Sequence, residues 1–162
     1  MKRIVALLLI TACVLSLASC ASIPAYDGAE LVGILYDCGY EITDVDETVE
    51  EGVVGYIYGK KAETGDEIYY IYCENYSVAK SLYNYLDIKQ KARIAELKHN
   101  IKKVEYALYD SKNVTAEQKG DYYELYVNLT EELKMAESYK CGRGLNIVWY
   151  GTKQAVSDIK KG

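Results

Sequence analysis

The apolar positions of this chain follow several rhythms, and each predicts a different kind of element. Behind Lys2 and Arg3, Ile4–Leu17 is a mostly apolar run that closes on Leu17-Ala18-Ser19-Cys20. From Asp27 the spacing turns helical. Leu31, Ile34, Leu35 and Cys38 share one face, Asp27 suits the N-cap and Gly39 a left-handed stop. Glu41–Asp46 reads as a short strand with Ile42 and Val45 as its apolar contributors. Val53–Lys61 and Glu67–Glu74 alternate and are rich in β-branched and aromatic residues, so they predict strands. Glu63-Thr64-Gly65 between them suits a three-residue hairpin turn with glycine in the left-handed position. That turn would place Tyr56 opposite Tyr72 and Tyr58 opposite Tyr70 on one side, with Ile57 opposite Ile71 on the other. A sheet with a tyrosine side and an aliphatic side follows, and a one-residue slip would undo the sorting.

Helical spacing returns at Ser77, a candidate N-cap, with Val78, Leu82, Tyr85 and Leu86 on the inner face. Ile94, Leu97, Ile101, Val104 and Leu108 continue it at coiled-coil spacing. After a loop at Asp110–Val114, Thr115 with Gln118 makes a capping box, and Tyr122, Tyr126, Leu129, Leu133 and Ala136 form a second seam. Two such arms joined by a short loop predict an antiparallel helical hairpin. The first arm is mainly basic and the second mainly acidic, which favours their pairing. Cys141-Gly-Arg-Gly144 reads as a break. Leu145, Ile147 and Trp149 then alternate as a fourth strand, and Thr152 caps a final helix over Lys153–Lys160. The predicted class is α+β. A small, antiparallel-rich, four-stranded sheet carries helices on its aliphatic side, and a helical hairpin is inserted at about 87–140.

Composition sharpens the picture at two points. The chain of 162 residues holds 18 Tyr, one Trp and no Phe, so its rings carry hydroxyls that need partners or water and belong at boundaries. The formal charge of −5 argues against a nucleic-acid partner, whose phosphates need a basic patch.

The first segment has a basic head, a short apolar run and small residues before a cut site, which together describe a secretory signal. Leu-Ala-Ser-Cys resembles the lipobox of bacterial lipoproteins. The resemblance implies lipidation of the Cys20 sulfur, palmitate included, with cleavage before Cys20. The expected organisation is a signal peptide over 1–19, a lipidated tether over 20–26 and one α+β domain over 27–162. Loss of Lys2 and Arg3 with the signal makes the body still more acidic. Gly39-Tyr40 and Trp149-Tyr150-Gly151-Thr152 loosely resemble small uncharacterised surface lipoproteins of Gram-positive type, a likeness that carries no activity with it. The location implied is the extracytoplasmic face of the bacterial cell membrane. Beyond Cys13 and Cys20, three cysteines remain, too few for a complete disulfide framework. Cys38, Cys73 and Cys141 read as small apolar residues, with one bridge left open.

Catalytic chemistry finds little support. His99 falls beside the Leu97/Ile101 seam on a solvent-facing position among lysines, and no Ser–His–Asp set can be built on it. No phosphate loop, His-x-x-x-His or Cys-x-x-Cys pair occurs. Asp44, Asp46, Glu47, Glu50 and Glu51 cluster, but their spacing does not match a calcium loop, and a solvated acidic turn accounts for them. The reading has no catalytic residues, metal or cofactor. The feature left is the tyrosine side, with Tyr56, Tyr58, Tyr70, Tyr72 and Tyr150 as the candidate binding face. Exposed tyrosines mark interaction surfaces; covered ones are core. The expectation is a membrane-anchored binding module for an envelope protein or glycan. The alternatives are an accessory solute-binding component of a transporter or an enzyme of unrecognised type.

Overall fold

The computed structural model describes residues 23–45, 51–110 and 114–161. Helix α1 (Gly28–Asp37) starts where the Asp27 carboxylate accepts the Glu30 amide at 2.8 Å, and it stops at Gly39, which sits at φ 80°. Strands β1 (Glu41–Val45), β2 (Val53–Lys60) and β3 (Glu67–Cys73) follow, then helix α2 (Tyr76–Glu105), which ends in a π-helical turn over Tyr106–Asp110. Helix α3 (Ala116–Ser138), strands β4 (Tyr139–Gly144) and β5 (Ile147–Thr152) and helix α4 (Lys153–Ile159) complete the chain. The strands form one antiparallel sheet in the order β1-β2-β3-β5-β4. The α+β class therefore holds, with five strands where four were expected.

The added strand is the segment read as a break. Its glycines suggested a turn, yet Gly142 pairs with Trp149 inside β4–β5, and a Cβ there would lie 2.0 Å from the indole. The ring needs bare backbone beneath it, so this glycine serves close packing in a strand.

A second correction concerns register. The β2–β3 loop has four residues, Ala62–Gly65, closed by Lys61 N–H to Asp66 O at 2.8 Å and by Gly65 N–H to Lys61 O at 2.8 Å. Gly65, at φ 72°, takes the fourth loop position rather than the third. The pairs become Tyr56 with Ile71, Ile57 with Tyr70 and Tyr58 with Tyr69. That single step sends Tyr70 and Tyr72 to the other side of the sheet.

Helices also cover both sides, not one. On the first, α1 and α4 close over Leu31, Leu35, Ile57, Ile68, Tyr70 and Ile159. On the second, the start of α2 packs Ala79 against Cys73 and Val148, flanked by Ile71, Leu82 and Leu86. The α2 cap is Asn75, whose side chain accepts the Ser77 and Val78 amides, so the helix begins ahead of Ser77.

The hairpin grows out of α2 without interruption. Leu97, Val104 and Leu108 are buried along the seam toward α3, while α3 has no buried residue and rests on half-buried Tyr122, Tyr126, Leu129 and Leu133. The capping box at Thr115 and Gln118 is present. Basic and acidic arms meet in Arg93–Glu132 at 3.6 Å and Lys98–Glu137 at 2.7 Å, exposed pairs that contribute about 0–1 kcal/mol each. At the base, the Gln90 amide donates to Tyr139 O at 2.8 Å.

Ile23 and Tyr26, placed by sequence in the tether, are only 3% and 6% exposed and belong to the core. The Tyr70 hydroxyl donates to Pro24 O at 2.8 Å and accepts Tyr26 N–H at 3.0 Å, and the Tyr26 hydroxyl donates to Ile159 O at 2.8 Å. One fully buried phenol thus fastens the entering chain to the sheet. Tyr70→Phe leaves the buried Tyr26 amide unpaired and removes the bond to Pro24 O, and is expected to cost about 1–3 kcal/mol. Limited proteolysis should then remove residues before Gly28 while the remainder stays folded; unchanged resistance would show that the phenol holds nothing.

Candidate functional site

On the α2 side of the sheet, β2 supplies Tyr56 and Tyr58, β3 supplies Tyr69, β5 supplies Tyr150 and β4 supplies Tyr139. All are half-buried. The Tyr58 and Tyr69 rings lie 4.5 Å apart, Tyr56 and Tyr69 6.4 Å, and Tyr139 stacks on Tyr150 at 4.9 Å. These are attractive ring separations, and they join three rings on β2 and β3 and two on β4 and β5, set side by side as one wall by the β3–β5 pairing of Tyr69 with Tyr150.

Glu67, at the start of β3, ties the wall together. Its Oε2 accepts the Tyr58 hydroxyl at 2.7 Å and its Oε1 accepts the Tyr139 hydroxyl. Burial, and then the bond to an anionic carboxylate, pushes both phenols well above the usual tyrosine range. Tyr69 and Tyr150 move up as well, burial again the first cause. Every shifted phenol here therefore stays protonated at neutral pH, as a hydroxyl for hydrogen bonding and a ring for stacking.

The path of α2 decides which part of the wall is open. Near the Cys73 end of the sheet the helix lies close, and Arg143 on β4 stacks its guanidinium 4.7 Å from the Tyr76 ring. Toward the Glu67 end, Gln90 and Arg93 of α2 stand beside Tyr139 and Tyr150. A cavity of about 300 Å³ opens there, lined by Glu67, Tyr69, Tyr139, Tyr150, Gln90 and Arg93. It shares Gln90, Arg93, Glu132 and Tyr150 with a groove of about 650 Å³ along the two arms. An apolar trough of about 240 Å³ between Tyr56, Tyr69, Ile71, Leu82 and Tyr85 flanks the other side of the helix. Tyr69 borders both spaces.

Of the residues singled out by sequence, Tyr56, Tyr58 and Tyr150 stand on this wall. Tyr70 and Tyr72 do not: they face α1, Tyr70 with no exposed surface and its phenol pushed up to about 12 by burial. The positions missed are Tyr69, Tyr139 and Glu67. Tyr69 and Tyr70 are neighbours in a strand, so only one of them can reach the wall, and loop length makes the choice.

Cys38, Cys73 and Cys141 are free. Burial raises the Cys73 thiol, and burial with the nearby Asp87 charge raises Cys141 to about 12, which leaves both poor nucleophiles. His99 is exposed on α2. Residues 46–50 of the acidic cluster and the lipobox, Cys20 included, lie outside the described residues. Among the described residues no group of three or more His, Cys, Asp or Glu could hold a metal ion, and no helix is long and apolar enough to cross a membrane. No protein-family model matches this chain, and neither a curated protein nor a solved structure does.

The raised phenols give a pH signature. The folded chain keeps protons that the unfolded chain releases above about pH 10, so stability is full below that pH and declines as it rises toward 12 and beyond. The slope should be a multiple of about 1.4 kcal/mol per pH unit, one share for each buried phenol. Urea midpoints taken with phenolate absorbance should fall together, and a midpoint that stays flat to about pH 11 would contradict the burial of these rings.

Proposed function

We propose that this protein is a lipid-anchored, extracytoplasmic binding module held to the membrane through Cys20, and that its partner is an envelope protein or glycan. The observation that carries the binding reading is the wall of Tyr56, Tyr58, Tyr69, Tyr139 and Tyr150, half-buried and bordered by open grooves on both sides of α2. Such rings offer large, stiff contact area at low entropy cost, and their hydroxyls supply orientation. Glu67 and Arg93 at the rim add one charge of each sign. A catalytic reading finds less support, since the shifted phenols and thiols are displaced away from reactivity at neutral pH. The anchoring reading rests on the basic head, apolar run and Leu-Ala-Ser-Cys ending, and on a body in which Ile23, buried in the core, follows Cys20 by three positions.

Each half has its own test. Cys20→Ser should abolish incorporation of labelled palmitate and release the protein from the membrane fraction; a Cys20→Ser chain that keeps its label would refute the anchor. For the wall, a photo-crosslinking phenylalanine analogue replaces Tyr56 or, separately, Tyr36, which is 75% exposed on α1 across the sheet. In intact cells Tyr56 should yield a discrete adduct and Tyr36 none. Equal labelling from both positions, or none from Tyr56, would remove the wall as the contact surface.

A further inference from the structure

Among the described residues, Leu145 is the exposed apolar side chain held at a positive φ. It sits at the tip of the β4–β5 turn with 70% of its surface exposed and with φ 52°, a left-handed conformation that favours Gly or Asn. Water and backbone sterics both disfavour leucine here. The turn lies at the Cys73 end of the sheet, where Cys73 N–H donates to Asn146 O at 2.8 Å and Asn146 Nδ2 donates to Cys73 O at 3.1 Å. Tyr76 opens α2 at the same end and is 53% exposed.

The entering chain arrives there too. A Cβ on Gly144, the residue before Leu145, would lie 3.8 Å from Ile23 O. Ile23 is locked in the core, so at the extended-chain limit Cys20 can stand no more than roughly 10 Å from it. We infer that the β4–β5 turn is a second membrane contact, with Leu145 inserted into the interfacial layer of the bilayer that anchors Cys20. This rests on the lipid anchor proposed for Cys20 and adds the orientation of the body. Exposed Glu51 and Glu74 at the same end make the contact apolar rather than an attraction to anionic headgroups.

The opposite end follows. Helix α2 starts beside Cys73, passes Glu67 and Tyr139 at Gln90 and Arg93, and continues past the sheet. Its 30 residues span about 45 Å, so the hairpin tip, with Tyr106 63% and Tyr109 73% exposed, is carried away from the bilayer. The tyrosine cleft, lined by Glu67 and Tyr139, lies toward that outward end.

The test uses the full lipidated chain, purified in detergent and reconstituted into phosphatidylcholine vesicles with brominated acyl chains. Tryptophan is introduced at Leu145→Trp or Tyr109→Trp, and emission is read against the unsubstituted chain, whose Trp149 is buried in the sheet. Quenching of roughly two-fold is expected at position 145, unchanged by high salt, and none at 109. A lipidated, vesicle-bound chain with an unquenched position 145 would overturn the inference while leaving the anchor intact, and would point to a protein partner for the tip. Quenching at both positions would also overturn it, since the body would then lie flat. Mass analysis showing no lipid on Cys20 would withdraw anchor and inference together. Unchanged far-ultraviolet circular dichroism confirms that each variant is folded.

Discussion

Two hydrogen bonds across the β2–β3 loop, from Lys61 N–H to Asp66 O and from Gly65 N–H to Lys61 O, set the pairing of the two central tyrosine-rich strands. Side chains in a strand alternate, so that choice assigns each ring to core or wall. With the observed pairing Tyr70 meets Ile57, stands over the first core and receives the chain entering at Pro24 and Tyr26. The same pairing delivers Tyr69 beside Tyr58 and within reach of the Glu67 network. The opposite parity would bring Tyr70 and Tyr72 to the wall and leave the N-terminal segment without its clasp.

Tyrosine in place of phenylalanine suits this arrangement. Each buried phenol must find an acceptor, and here the acceptors tie distant parts of the chain: Pro24 to Tyr70, Ile159 to Tyr26, Asp158 to Tyr40, Glu67 to Tyr58 and Tyr139. A phenylalanine core would bury similar area but specify far less. Direction is a further result. The chain enters at one end of the sheet and α2 leaves past the other, so a domain of this size has two distinct poles.

Local signals were legible where the physics is local. Asp27, Thr115 with Gln118, and Thr152 cap the helices they were expected to cap, and the seams Leu97–Leu108 and Tyr122–Leu133 face each other. What sequence could not show depends on tertiary partners. Gly142 looks like a break until Trp149 is laid over it, and Glu63-Thr64-Gly65 reads as a three-residue turn until both strands are paired and Ala62 joins the loop. The continuity of α2, by contrast, was legible: its helical spacing runs unbroken from Val78 to Leu108 while its inner face changes partner from sheet to α3. Of the five candidate residues, Tyr56, Tyr58 and Tyr150 therefore share one side of the sheet. The other two were lost to one shared cause, not to a misjudged strand.

Because that one step governs core, clasp and wall alike, interstrand proton contacts measured by nuclear magnetic resonance test it most directly. In an antiparallel ladder the non-hydrogen-bonded pairs bring their α-protons together. A strong Hα–Hα cross-peak is expected between Tyr58 and Tyr69, with a matching one between Tyr56 and Ile71. A cross-peak joining Tyr58 to Tyr70 in their place would contradict it.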